Sequence, residues 1–197
     1  MIYLILTCFL ATTAELVIMV LINRKEPDIR LSLKKWGTIL AAGNILLAVL
    51  SWYKETQSGI TACWYFGLFT YLLCLTVYDL KFRELPDWWH LILPLFYSGL
   101  WLSGRQPVDI YESVIITVVF AAVLGLIFLL RKDAIGIGDI KLLLLCSIYA
   151  GSASVGMLIR GMILAFFFSI GLLLLKKATA KSELPFVPFL LLGALLV

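Results

Sequence analysis

The chain has 197 residues, 62% of them hydrophobic and only 14% charged, and its mean hydropathy is +1.05. Soluble domains carry about a quarter charged residues, so this composition excludes an ordinary soluble domain and predicts a polytopic membrane protein. The net charge of +4 suits loops facing an anionic leaflet, and no basic cluster interleaved with aromatics marks a nucleic-acid surface.

In chain order, the first apolar stretch is Met1–Ile22, interrupted only by Glu15. No basic residue precedes it, which argues against a cleavable signal peptide and for a retained first helix. Glu15 is costly to bury in lipid and should find a polar partner such as Asn44. A short basic loop, 23–35, leads to Trp36–Tyr53 and then to Thr56–Tyr78. Trp88–Gly104 and Ser113–Leu130 follow, then Leu142–Ile159, Gly161–Leu175 and Leu184–Val197. About 20 apolar residues, and no fewer than about 17, cross a bilayer as a helix. The pattern therefore predicts an all-α transmembrane bundle of about eight spans, one integral membrane domain over 1–197. The last span is short and contains Pro185 and Pro188, so it is expected to be tilted, partial or supported by neighbours. The turn before Gly161–Leu175 falls somewhere from Gly151 to Gly161, and either version leaves Arg160 at the outer boundary.

Eight spans put both termini on one side. Of the 16 lysines and arginines, 13 fall in loops on one side of such a path, leaving Lys54, Arg105 and Arg160 on the other. The positive-inside bias makes the first side cytoplasmic and both termini non-cytoplasmic. Asp79 then lies at the cytoplasmic end of the third span and Asp139 at the cytoplasmic start of the sixth. Ionisable groups at membrane depth are functional candidates, and two carboxylates at one depth suit acid–base hydrolysis. One activates water, the other protonates the departing groups, and close together they share a proton.

The remaining polar residues have plainer readings. The four cysteines, Cys8, Cys63, Cys74 and Cys146, form no C-x-x-C pair and read as small apolar residues. His90, the only histidine, sits beside Trp88 and Trp89, where an aromatic-belt position is expected. One histidine excludes a His-rich metal site. Gly136 and Gly138 leave the backbone before Asp139 free of Cβ atoms, open to close approach and to positive φ. Asp139 either joins the chemistry or caps its own helix. Asp87, after Pro86, reads as an N-cap. Glu84, Asp87 and Asp133 either attract a basic substrate or are solvated loop charges. Lys141 is expected to snorkel to the headgroups.

Asp79 followed by Leu85-Pro86-Asp87, then Gly136-Ile137-Gly138-Asp139-Ile140-Lys141-Leu142, then Pro185-Phe186-Val187-Pro188-Phe189-Leu190, together resemble the type IV prepilin peptidases. These are bacterial membrane aspartyl peptidases related to preflagellin peptidases and presenilins. The resemblance covers roughly 56–197. It implies Asp79 and Asp139 as the catalytic pair, with Gly136, Gly138, Lys141, Glu84, Pro86, Asp87 and Pro185 supporting the site or the substrate. It also implies prepilin or pseudopilin substrates with a basic cytoplasmic leader, cleavage after a glycine preceding an apolar helix, the cell inner membrane as location, and no metal or organic cofactor. Many members carry an insert with two C-x-x-C pairs between the first two helices, linked to methylating the new N-terminus. Here that loop is short and lacks cysteine, so neither methylation nor S-adenosylmethionine binding finds support. Rival readings are a small ion-coupled transporter, for which no internal repeat is visible, and a non-enzymatic subunit of a pilus or secretion assembly.

Overall fold

A computed structural model describes residues 2–25, 32–54, 59–91, 93–94, 97, 108–131, 135–176, 179 and 184–196. The described residues are helical, with no strand among them: α1 (Ile2–Lys25), α2 (Leu33–Lys54), α3 (Gly59–Phe82), a 3-10 helix (Asp87–Leu91), α4 (Ile110–Leu130), α5 (Ile137–Ala150), α6 (Ser152–Leu174) and α7 (Val187–Leu195). Four of the helices are long and apolar enough to cross a membrane: α1, α3, α4 and α6. The expected fourth span, Trp88–Gly104, lies mostly outside the described residues, as do Asp133 and Arg105. At about 1.5 Å per residue, α5 rises about 21 Å and α7 about 14 Å, short of a hydrocarbon core about 30 Å thick.

α3 is the axis of the bundle. It packs against α1, α2 and α7, and 83% of its apolar window is buried, against 11% in α4 and in α6. Its large side chains Phe66, Phe69, Tyr71, Leu72, Leu75 and Tyr78 are fully enclosed. The outward faces of α4 and α6 are instead apolar and exposed, as Val118, Leu129, Phe167 and Leu174 illustrate. Those faces suit lipid.

Glu15 is buried where α1, α2 and α3 meet. The expected partner is there: Asn44 Nδ2 donates to Glu15 Oε2 at 2.7 Å. Cys74 Sγ donates to Oε1 at 3.0 Å, and Thr70 Oγ1 donates to Asn44 Oδ1 at 3.1 Å. Cys63 and Cys146 are buried and Cys8 is half-buried, but Cys74 is more than an apolar filler, because its thiol completes this polar cluster.

The α5–α6 turn sits at Gly151, whose φ of +50° is left-handed backbone. A Cβ there would also lie 2.7 Å from Val108 Cγ1, so only glycine suits the corner. Gly161 makes no turn. α6 runs straight through it because its missing side chain admits α7: a Cβ at Gly161 would lie 2.9 Å from the Phe189 carbonyl oxygen, and one at Gly193 would overlap the Met157 carbonyl oxygen. Arg160 is therefore in the middle of α6 rather than at a boundary, its guanidinium folded back over Gly156. The last helix is short and carried by its neighbours, α6 and α3, as its prolines led us to expect.

Candidate active site

α3 and α5 run in opposite directions between two ends of the bundle. At one end the start of α3 (Thr61, Trp64, Tyr65) lines a cavity of about 190 Å³ with the start of α4 and the α5–α6 corner. At the other end α3 finishes with Asp79 and α5 begins with Asp139.

α3 ends because Arg83 adopts φ +56° while its amide still donates to the Asp79 carbonyl at 3.0 Å. This left-handed closing residue turns the chain out of the helix. Residues 84–86 form no regular structure, and the 3-10 helix starts with Trp89 N–H donating to the Pro86 carbonyl at 3.1 Å. Leu85 lands on the first turn of α5, where a Cβ on Gly138 would lie 3.1 Å from the Leu85 Cβ. Gly138 is thus a packing glycine that lets the two motif segments touch. Gly136 is the N-cap of α5 with φ −66° and ψ 142°, so the positive φ allowed for it is not used. A Cβ there would lie 3.4 Å from Asp139 Oδ2, an ordinary contact, so the fold tolerates a side chain at this position.

Asp79 is 7% exposed. Its Oδ2 accepts the Val187 N–H at 2.8 Å. Val187 is the first residue of α7, whose N-cap Phe186 supplies no side-chain cap. The leading amides of a helix lack internal partners and carry the positive end of its dipole, and Asp79 occupies that position from a different helix. Pro185 and Pro188 flank this start. Pro188 lies within the first turn, where a missing N–H costs nothing.

Asp139 lies in the first turn of α5, ahead of the apolar run from Leu142, and is half-buried. Among the described residues no donor reaches its carboxylate, and it caps no helix amide. Burial first, and the charge of Asp79 second, push its pKa from 3.8 up to about 6. The two carboxylates thus share one end of the bundle and act on each other.

Three expectations change here. Lys141 does not reach for headgroups: its Nζ is 2.6 Å from Asp87 Oδ1. Asp87 accordingly uses its carboxylate on Lys141, and that ammonium holds it below the usual carboxylate range. His90 is no belt residue. It is buried, and its Nδ1 lies 2.7 Å from the Tyr71 hydroxyl. Glu84 is exposed on the connecting segment and Pro86 is buried beneath it. Two contributors escaped the sequence reading, the Val187 amide and Leu85. The paired prolines announced a helix start and hence free amides, but nothing in the string told which acid would take them.

The model of the type IV leader peptidase family matches residues 66–176, more than half of the chain. The chain belongs to the type IV leader peptidase family. The matched stretch includes both aspartates, while α7 and its amide lie beyond it. No curated protein and no solved structure matches. The chain therefore combines a peptidase family's sequence with four helices fit to cross a membrane.

Proposed function

We propose that this leader peptidase is an aspartyl endopeptidase that removes the basic leader of type IV prepilins or pseudopilins at the cytoplasmic face of the inner membrane. The observation that carries this reading is the meeting of Asp79 and Asp139 at one end of the bundle in unlike surroundings. A hydrogen-bond donor serves the ionised form of a carboxylate, while burial beside a like charge serves the neutral form. Asp79, which receives the Val187 amide, is the base. Asp139, to which no described residue donates, is the acid.

As Asp79 takes a proton from water, the water oxygen bonds to the scissile carbonyl carbon. Asp139 gives its proton to the carbonyl oxygen. When the tetrahedral intermediate collapses, the C–N bond breaks, the leaving nitrogen takes the proton from Asp79, and the former carbonyl oxygen returns one to Asp139. Two carboxyls whose environments differ supply both roles.

The lysine and arginine bias favours a path of about eight apolar segments with both termini outside and the aspartate end inside. On that path α5 and α7 are partial crossings held by longer neighbours. Cleavage without N-methylation is the proposed activity, because residues 23–35 contain no cysteine pair. Co-expression with a prepilin, followed by mass spectrometry of the new N-terminus, tests this. The expected product begins just after the glycine that precedes the apolar helix and bears no methyl group. A precursor that stays full length would overturn the assignment.

A further inference from the structure

Asp79 and Asp139 sit on separate helices, 60 positions apart in sequence, so something must fix the gap between them. The chain between the two aspartates meets the first turns of α5 at Leu85, seated on Gly138, and again where the 3-10 helix touches α5 and Asp87 pairs with Lys141 at 2.6 Å. The first is apolar and slides easily. The second is directional, joining a lysine two residues beyond Asp139 to an aspartate eight residues beyond Asp79. We propose that the Lys141–Asp87 pair is a latch that holds segment 83–87 on the first turn of α5 and so sets the separation of the two aspartates. Lys141 and Asp87 are positioning residues here. The inference rests on the two-aspartate reading above.

The latch is solvent-exposed, with side-chain exposures of 46% for Lys141 and 74% for Asp87. Exposed ion pairs add little to fold stability, so removing one partner should leave the bundle folded and loosen only the local fit. Small misplacements of reacting groups are costly to rate. The test compares Lys141→Ala, Asp87→Ala and the exchanged double variant Asp87→Lys/Lys141→Asp, measuring leader cleavage and amide hydrogen exchange over residues 83–91. Each single variant should lower kcat roughly tenfold, leave KM within about a factor of two, and speed exchange in that segment. The exchanged pair should recover both kcat and slow exchange. Unchanged kcat or unchanged exchange in the single variants overturns the latch. So does an exchanged pair as slow as either single variant, since each charge would then be acting on something other than its partner. If Asp79→Asn or Asp139→Asn still cleaves while exchange responds to the latch as described, the catalytic assignment fails and the docking role of the ion pair stands.

Discussion

Asp79 and Asp139 are the same residue type at one end of one bundle, and their neighbours differentiate them. Both are withdrawn from solvent, Asp79 the more deeply, but Asp79 has the amide of Val187, whereas Asp139 has burial and the charge of Asp79 with no donor among the described residues. A raised pKa in an acid means that its contribution to stability is full below the unfolded value near 3.8 and is lost as pH rises through about 6. Asp139→Asn removes that liability. The variant should therefore be inactive yet more stable than the parent at pH 8, by about 1–3 kcal/mol, and no more stable at pH 4, as thermal unfolding in detergent will read. In the parent, kcat/KM should fall as pH rises through about 6, where Asp139 loses its proton. A rate that instead climbs through that range would reverse the roles of the pair.

The helices show how sequence and folding divide the information. Every expected apolar stretch carries helix among its described residues, because long charge-free runs are hard to mistake, but four of those helices are long and apolar enough to cross a membrane, and Leu142–Ile159 breaks at Gly151. Asp139 at a helix start and Glu15 with Asn44 were also legible, since a buried acid in lipid has few suitable partners. Choosing Gly151 over Gly161 as the corner was not legible. Both glycines interrupt apolar runs, and only contact with α7 distinguishes a turn from a packing notch. Lys141 and His90 were misread for a related reason: each finds its partner, Asp87 or Tyr71, on a distant stretch of chain. Gly193→Ala should push α7 off α6, destabilise the protein by about 1–3 kcal/mol, and slow cleavage, because α7 carries the amide that Asp79 uses. Cleavage at the parent rate in a destabilised Gly193→Ala would separate α7 from the chemistry. Glu15→Ala takes the acceptor from the Cys74 thiol and leaves Asn44 Nδ2 with Thr12 Oγ1 alone, and should cost about 1–3 kcal/mol. Glu15→Gln keeps one acceptor and should cost less, a ranking that denaturation midpoints can check.

At the scale of the molecule, α3 is a buried axis that delivers Asp79 to one end, α5 starts from that end with Asp139, and α7 caps it. The exposed faces of α4 and α6 leave this arrangement standing in lipid. In the proposed topology the lysine and arginine bias turns the aspartate end toward the cytoplasm, where a basic leader would wait. The proposed chemistry is two carboxylates acting on one water. The direct test is cleavage of a prepilin by purified, folded Asp79→Asn and Asp139→Asn, each assayed alone beside the parent. The account predicts that both variants leave the precursor intact while the parent releases the leader. Cleavage at the parent rate by either one would contradict it.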